Sequence, residues 1–324
     1  MQDVVILVPL FNDWGSAEIL LRELDAAMLA AGFNGRVLIV DDCSSQPPQA
    51  SFHQLSLKAL PSVDILHLRR NLGHQRAIAV GLVYIQEHLP CRAVVVMDAD
   101  GQDRPADACT LLREALRNDA SEVIFAARSK RLESLLFRTL YQVYRALHVT
   151  LTGNAVRVGN FSAVPWEKLT QLVVMPELWH HYAAAVIRSR IGVRLVPIPR
   201  GQRLLGESRM GYAGLLLHGL SAFFVYGDII GARLLAAVGL LLVLSLGAIG
   251  AAFGYTLLTG HAIPQWGTLA ASIALIVLPQ ALLGALVLVF TVIGNRVNHN
   301  FLPIRDCPYF VRSVEPLALR ISNT

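Results

Sequence analysis

Two long stretches without a charged residue place the strongest constraint on how this chain can fold. The first runs from Leu234 to Leu258 and the second from Thr268 to Gly294. Each is longer than the ~20 residues that an α-helix needs to cross the hydrocarbon core of a bilayer. The alternative is a buried helical hairpin in a soluble protein, and the length of the stretches argues against it. We therefore predict two transmembrane helices, with Pro279 as a kink in the second.

The composition of the whole chain agrees with a membrane protein. Hydrophobic residues make up 54% of the 324 residues and charged residues only 16%, and most of the apolar excess follows residue 210. The net charge is +5. A basic and apolar chain favours anionic membrane surfaces or phosphate-bearing substrates as partners. No nucleic-acid-binding motif is present, and the four cysteines share no metal-ligand spacing, which is typical of free thiols in a reducing compartment.

The first 209 residues alternate short apolar runs with amphipathic segments. This alternation is typical of a Rossmann-like α/β fold, a mostly parallel sheet with helices on both faces. No Gly-x-Gly-x-x-Gly or Gly-x-x-x-x-Gly-Lys motif is present, so neither a dinucleotide-binding fold nor a P-loop is predicted. The predicted strands are Val4–Pro9, Arg36–Val40, Val63–Leu68, Val94–Met97, Glu122–Ala127 and Gly192–Pro199.

A pair of carboxylates follows the fourth predicted strand. Asp98 and Asp100 come directly after the apolar run, and residues i and i+2 of an extended segment project to the same side. With the amide of Gln102, they form an oxygen-rich set suited to Mg²⁺ or Mn²⁺. The alternative is an Asp-Gly turn whose acids are only solvated. Other strand ends carry polar residues as well, and the converging set indicates a ligand crevice. These residues are Asp13, Asp41, Asp42, Asn71 and Arg128.

Two basic segments precede the predicted membrane helices. Arg131, Arg138 and Arg145 recur at seven-residue intervals, which predicts one helical stripe that is either solvated or close to lipid phosphates. The second segment includes Arg203 and Ser208, whose side chains can donate hydrogen bonds to a pyrophosphate. The alternative for this second segment is a basic loop next to the membrane.

Six segments, in this order, resemble the motifs of family 2 glycosyltransferases. The resemblance is closer to the polyprenyl-phosphate glycosyltransferases of the dolichyl-phosphate mannose synthase type, which have two carboxyl-terminal membrane helices. It covers nearly the whole chain and implies a GT-A-type fold and a metal-dependent hexosyltransferase. The implied reaction is inverting transfer of a sugar from a nucleotide-sugar to a polyprenyl phosphate. The six segments are Val8–Asp13, Val40–Ser44, Arg70–Gly73, Met97–Gln102, Arg128 and Arg203–Arg209.

The resemblance also implies roles for individual residues. The metal ligands for Mg²⁺ or Mn²⁺ would be Asp98, Asp100 and Gln102. The catalytic group would be Asp98, Asp100 and Arg128. To these we add Arg138, from the basic helical stripe, as the candidate contact for the acceptor phosphate. The nucleotide-sugar-binding residues would be Pro9, Phe11, Asp13, Asp42, Asp98, Ala99, Asp100, Gln102, Arg128, Arg203 and Ser208.

The sequence departs from the family pattern in two places. Phe11, Asp13 and Cys43 replace Tyr, Glu and Gly, so the nucleotide base stays open. Arg157 and Asn160 stand where the family has two carboxylates. A phosphate acceptor needs no strong general base, because it is already ionised at pH 7.

Two alternatives to a polyprenyl phosphate acceptor remain open. A hydroxyl acceptor on a glycolipid or glycan would require a base, for which Glu177, His180 and His181 are the candidates. A membrane protein that kept the fold but lost activity is the other alternative, and the intact Asp98, Asp100 and Gln102 argue against it. The sequence leaves the oligomeric state open, with a homo-oligomer among the possible states.

The predicted organisation has four parts. Residues 1–209 form a cytoplasmic glycosyltransferase domain and residues 210–232 form amphipathic helices at the membrane surface. Residues 233–294 contain the two transmembrane helices, and residues 295–324 form a cytoplasmic tail. The loop between the two membrane helices has no Lys or Arg, whereas Arg233, Arg296, Arg305 and Arg312 flank them on the other side. The positive-inside rule then predicts an integral protein of the bacterial inner membrane with a cytoplasmic catalytic domain.

This topology can be tested with reporter fusions. We expect a reporter fused after Thr324 to read as cytoplasmic, because the arginines that flank the second helix stay on the cytoplasmic side. A reporter inserted in the loop at residues 259–267 should read as external. An external signal from the carboxyl-terminal fusion would contradict the predicted orientation.

Overall fold

The protein is described from a computed structural model, which covers residues 4–117, 121–128, 142, 146–147, 149–153, 158–199, 201–205, 223, 225–297 and 301–317. These residues divide into two compact units. The first contains the described parts of residues 1–135, 156–225 and 301–324. The second contains those of residues 136–155 and 226–300. The predicted boundaries at residues 209, 232 and 294 stay predictions.

The first unit is built on one mixed sheet. Within the described residues the sheet has eight strands in the order β7-β5-β6-β4-β1-β2-β3-β8. The pairings β2–β3, β1–β2, β1–β4 and β5–β7 are parallel. The strands are β1 (Val4–Leu10), β2 (Gly35–Asp41), β3 (Ser62–Leu68), β4 (Ala93–Val96), β5 (Glu122–Arg128), β6 (Ser162–Pro165), β7 (Gly192–Ile198) and β8 (Val311–Pro316).

Helices cover both faces of this sheet, as the α/β prediction required. Side chains of α1 and α3 pack on one face, and side chains of α2, α4 and α5 pack on the other. Residues of β1 alternate between the two faces, and all seven of them are buried. The helices of the unit are α1 (Trp14–Ala31), α2 (His74–His88), α3 (Pro105–Arg117), α4 (Trp166–Leu172) and α5 (Tyr182–Arg188).

Two antiparallel strands were not predicted from the sequence. Strand β6 has only four residues, and it lies between β4 and β5. Strand β8 pairs with the edge strand β3. It lies within residues 295–324, which were predicted as a tail. Neither strand has the long apolar run by which the other strands are recognised.

The second unit contains two long helices that pack against each other, α6 (Gly227–Thr259) and α7 (Gln265–Val297). The spans Gly227–Thr259 and Gln265–Thr291 have mean hydropathies of 2.5 and 2.6, so each is long and apolar enough to cross a membrane. Pro279 lies inside α7. Of the amphipathic segment predicted for residues 210–232, residues 210–222 lie outside the described residues, and its last residues belong to α6. A short helix, α8 (Pro303–Asp306), follows in the first unit.

The packing of α2 on the sheet gives a test of the fold. A Cβ atom at Gly81 would overlap Cδ1 of Leu7 and would lie 2.8 Å from Cγ2 of Val40. Overpacking of this kind costs about 1–3 kcal/mol, which exceeds the ~1 kcal/mol that alanine gains over glycine in a helix. We expect Gly81→Ala to lower the melting temperature of the first unit.

The melting temperature can be followed with a thiol-reactive dye, because Cys91, Cys109 and Cys307 are buried in the first unit and react only on unfolding. Burial also raises the pKa of the Cys91 thiol to about 12, which keeps it unreactive in the folded state. Gly239→Ala is the control, since Gly239 also lies in a helix and has nothing within 4 Å of the added Cβ. Equal melting temperatures for Gly81→Ala and the unmodified chain would contradict this packing.

Candidate functional site

The loop that follows β4 turns back on itself and exposes two carboxylates. The N–H of Asp98 donates to Oδ2 of Asp103 at 2.9 Å, and Asp103 is fully buried. The N–H of Gln102 donates to Oδ1 of Asp100 at 3.0 Å. Gly101 has φ +82°, in the left-handed region that glycine adopts without strain. Asp103 therefore stabilises the turn of this loop from inside. The side chains of Asp98 and Asp100 remain 31% and 17% exposed.

Arg203 connects this loop to the end of β1. Its Nη1 lies 3.2 Å from Oδ2 of Asp100, and its Nη2 lies 3.5 Å from Oδ2 of Asp13. Backbone hydrogen bonds fix the segment around it, since Gly201 donates to the carbonyl of Gln102 and Leu204 donates to that of Asp100. Three of the predicted site residues, far apart in sequence, thus lie together.

His74, at the start of α2, contacts the other exposed carboxylate. Its Nε2 lies 3.3 Å from Oδ1 of Asp98 and 2.9 Å from Nδ2 of Asn160. Burial acts to lower the pKa of His74, but the charges of Asp98, Asp103 and Asp100 outweigh it and raise the pKa above its ordinary value. The shift indicates a negative potential in this part of the site.

Gln75, the residue after His74, connects Asn160 to the start of α5. Its Nε2 donates to Oδ1 of Asn160 at 3.1 Å, and its Oε1 accepts from the N–H of Tyr182 at 2.7 Å. Gln75 at Oδ1 and His74 at Nδ2 together fix the orientation of the Asn160 amide.

The two aspartates at the end of β2 are engaged by the protein itself. Both oxygens of Asp42 accept backbone N–H groups, from Leu72 at 2.6 Å and Gly73 at 2.8 Å. Burial is the main cause that raises the pKa of Asp42. Asp41 accepts from the N–H of Ser44 and lies 2.8 Å from Nδ1 of His67. The predicted nucleoside contact of Asp42 stays a prediction, and its observed contacts hold the loop before α2.

Residues at the end of β1 form a wall next to these aspartates. Pro9 is buried within β1, and Phe11 is 43% exposed. Asn12, with φ +53°, accepts at Oδ1 from the N–H groups of Ser45 and Gln46. This ties the loop after β1 to the loop after β2 and leaves the ring of Phe11 open to solvent.

The other predicted residues are distributed as follows. Arg128 ends β5 and is paired in register with Ile198, and Ala99 is 6% exposed. Arg138 and Ser208 lie outside the described residues. So do Arg131, Arg145 and Arg157.

The predicted metal ligands fit a divalent ion. Among the described residues no three His, Cys, Asp or Glu side chains form a ready-made metal site. A Mg²⁺ site at a diphosphate needs only one or two carboxylates, because substrate phosphates and water supply the other ligands. Asp98 and Asp100 are hard donors in a region of negative potential, which a cation would relieve. Both side chains are partly exposed, at 31% and 17%, although Oδ1 of Asp98 is itself buried.

Sequence reasoning did not identify His74, Gln75 and Asp103 as part of this site. Asp103 could have been found as a third acid in the same loop, and His74 as a titratable residue that follows the end of β3. Gln75 gave no such signal, because its partners lie 85 and 107 residues away in the chain.

Two of the candidate bases for a hydroxyl acceptor, Glu177 and His181, have hydrogen-bond partners within the protein. Oε1 of Glu177 accepts from Nε of Arg188 at 3.0 Å. His181 is buried and caps α5 by accepting from the N–H of Ala184. Burial, and after it the charge of Arg76, lower the pKa of His180.

Comparison with known proteins gives a consistent family assignment. The family model described as glycosyl transferase family 2 matches residues 5–190. An undecaprenyl-phosphate 4-deoxy-4-formamido-L-arabinose transferase from Klebsiella pneumoniae subsp. pneumoniae is 24% identical, covering 97% of this chain and 94% of that protein. The same-named protein of Klebsiella pneumoniae strain 342 is 23% identical over the same shares.

A solved structure shares the fold. Glucosyl-3-phosphoglycerate synthase from Mycobacterium tuberculosis, in complex with Mn²⁺, UDP-glucose and phosphoglyceric acid, superposes with a TM-score of 0.52. The two are 13% identical, and the match covers 71% of this chain and 80% of that chain. The GT-A-type fold expected from the sequence is confirmed.

The position of Arg203 gives a test of its predicted role at the donor phosphates. We expect Arg203→Lys to raise the KM for the nucleotide-sugar about tenfold, because lysine lacks the planar fork that binds two oxygens. Membrane association should stay unchanged, since the charge is kept. Steady-state kinetics and membrane fractionation check both expectations.

Arg22→Lys is the matched control for that experiment, because Arg22 pairs with Glu18 on the surface of α1. If the KM of Arg203→Lys for the nucleotide-sugar stayed near that of the unmodified chain, the role of Arg203 at the donor phosphates would be wrong. Arg203 would then belong to a basic loop that anchors the chain at the membrane.

Proposed function

The chain belongs to glycosyl transferase family 2, and from this membership we propose that it transfers a sugar from a nucleotide-sugar to a polyprenyl phosphate. The transfer takes place at the cytoplasmic face of the bacterial inner membrane and inverts the anomeric carbon. The relatives that match along 97% of the chain, and whose names specify undecaprenyl phosphate, support this acceptor. The two membrane-length helices support a lipid substrate.

The amide of Asn160 is the observation that carries the choice of acceptor. It stands where the family resemblance predicts a carboxylate, and its Oδ1 accepts from Gln75 while its Nδ2 lies beside His74. An amide cannot take a proton from an attacking hydroxyl group. A phosphate acceptor is already ionised at pH 7 and needs no such base. The internal partners of Glu177 and His181 favour the same conclusion.

We assign the donor to the part of the site formed by the ends of β1, β2 and β4. The exposed ring of Phe11 and the carboxylate of Asp13 are suited to the nucleoside, and buried Pro9 and Asp42 position their loops. Arg203, Arg128 and Ser208 are assigned to the phosphates of the donor. Arg138 stays a candidate for the acceptor phosphate.

Charge neutralisation is the main chemical contribution of the site. A divalent ion held by Asp98, Asp100 and Gln102, with Ala99 between them, would supply Lewis-acid stabilisation of the leaving diphosphate. Arg203 adds hydrogen-bond donors to the same leaving group, and its position is fixed before the donor binds.

The reaction itself needs little more than orientation. An oxygen of the lipid phosphate forms the new bond to the anomeric carbon as the bond from that carbon to the nucleotide diphosphate breaks. Attack from the face opposite the leaving group inverts the carbon. Holding two anions in one crevice supplies the alignment that repulsion would otherwise prevent.

Product analysis and one variant test this proposal. The full chain in native membranes, supplied with a nucleotide-sugar, a divalent ion and undecaprenyl phosphate, should form a glycosyl undecaprenyl phosphate of the expected mass. We expect Asp100→Ala to lower the rate about 100-fold or more without unfolding the protein, because it removes charge stabilisation at an exposed loop.

Asp107→Ala is the control, since Asp107 pairs with Arg104 at the surface of α3. Excess chelator should abolish transfer. A sugar attached to a lipid hydroxyl group instead of a phosphate would refute the proposed acceptor, and full activity in chelator would refute the metal requirement.

A further inference from the structure

An array of three aromatic rings and two arginines lies beside the proposed catalytic site. The rings of Trp179 and Phe301 stack with centroids 4.0 Å apart, and the ring of Phe310 lies 5.2 Å from that of Trp179. The guanidinium carbon of Arg76 lies 5.2 Å from the centroid of Trp179, and that of Arg70 lies 5.8 Å from the centroid of Phe310. We call these five residues the arginine–aromatic array.

The two arginines of the array differ from Arg188, Arg194 and Arg203 in having no carboxylate partner among the described residues. Within the part of the chain that the structure describes, the guanidinium groups of Arg70 and Arg76 form neither an ion pair nor a hydrogen bond. The guanidinium groups of Arg188, Arg194 and Arg203 all contact carboxylates. A cation over a ring face is held in place without using its N–H donors. Arg70 and Arg76 therefore keep donors available for an anion.

The array is tied to the catalytic site through one short segment. Residues 69–76 comprise the loop after β3 and the first turn of α2, and they include His74, which lies 3.3 Å from Asp98. The next residue, Gln75, holds Tyr182 by its backbone N–H, three positions after Trp179. Strand β3 ends at the same edge of the sheet as β1, β2 and β4, because these strands are parallel. The arginines thus belong to the same segment as His74 and Gln75, which contact Asn160.

The chemistry of the array matches a phosphate that is joined to an apolar chain. Guanidinium groups bind phosphate oxygens with two parallel hydrogen bonds, and aromatic faces bury hydrocarbon. The charge of Arg76 is felt by its neighbour, since burial and then Arg76 lower the pKa of His180.

We propose that the arginine–aromatic array binds the polyprenyl monophosphate acceptor, with Arg76 and Arg70 on the phosphate and the rings on the first isoprenoid units. This inference rests on the proposed function and names acceptor-binding residues for it. Anionic headgroups of the bilayer present the same phosphate chemistry, so the experiment separates the two sources.

Transfer kinetics in nanodiscs of phosphatidylcholine alone provide the first test. We expect Arg76→Gln and Trp179→Leu each to raise the KM for undecaprenyl phosphate about tenfold. The first variant removes a charge-assisted hydrogen bond, and the second removes the ring over which Arg76 lies. The KM for the nucleotide-sugar should change less than about twofold, since the donor contacts are elsewhere. Arg113→Gln is the matched control, because it removes one exposed positive charge from α3, on the other face of the sheet.

Lipid composition separates the two sources of phosphate. If bilayer headgroups were the ligand, Arg76→Gln and the unmodified chain would have the same acceptor KM in phosphatidylcholine. They would then differ only after phosphatidylglycerol is added to the nanodiscs. That result would overturn the proposal, as would an equal rise in donor and acceptor KM for Arg76→Gln.

Direct binding separates this inference from the proposed reaction. Farnesyl phosphate, a short polyprenyl monophosphate, is titrated by calorimetry into the detergent-solubilised full chain without any donor. We expect Arg76→Gln to weaken its binding about tenfold, and inorganic phosphate to compete only weakly because it lacks the apolar chain. Failure of transfer with this binding pattern intact would refute the proposed reaction alone. Equal affinity of farnesyl phosphate for both proteins would refute the array alone.

Thermal melts with the thiol-reactive dye exclude unfolding as the cause of any loss. Should Arg76→Gln melt early, Arg76→Lys replaces it. Lysine keeps the charge but lacks the planar fork, so we expect it to weaken farnesyl phosphate binding as well. If Arg76→Lys bound farnesyl phosphate as tightly as the unmodified chain does, the proposed binding of two phosphate oxygens by the Arg76 guanidinium would be wrong.

Discussion

Burial of the central strands on both faces determines where charge can appear in this protein. Every residue of β1 and β4 is buried between the two helical layers. A charged side chain inside either strand would lose its hydration without a partner, so the first carboxylates follow the strand ends. Because β1, β2 and β4 are parallel, Asp13, Asp42 and Asp98 accumulate at one edge of the sheet. The location of the candidate site is thus a consequence of core packing.

The negative charges at this edge need partners. Some of the aspartates are paired with backbone N–H groups and others with side chains. Asp42 and Asp103 are buried and accept backbone N–H groups, so they hold loops. Asp98 and Asp100 stay partly exposed and have the side chains of His74 and Arg203 as partners. A ligand can displace or join a side-chain partner more easily than a backbone amide. The exposed pair is therefore the part of the edge best suited to an ion and a diphosphate.

Residues 69–76, the loop after β3 and the first turn of α2, contact several parts of the site at once. Its backbone amides satisfy Asp42, and its His74 faces Asp98. Its arginines lie on the aromatic rings of the array. In the proposed arrangement, the donor and acceptor contacts share this segment, which favours alignment of two anions that repel each other.

The sequence by itself determined the features that depend on local pattern. Apolar runs predicted six strands of the sheet, uncharged length predicted the two long helices, and the position after β4 identified Asp98 and Asp100. Only the tertiary structure decided the pairing of short β6 and edge strand β8, and the contacts of His74 with Asn160, 86 residues apart. The same holds for Arg76 on Trp179. Periodicity reports which face of an element is apolar, whereas a contact between distant side chains depends on how the loops close.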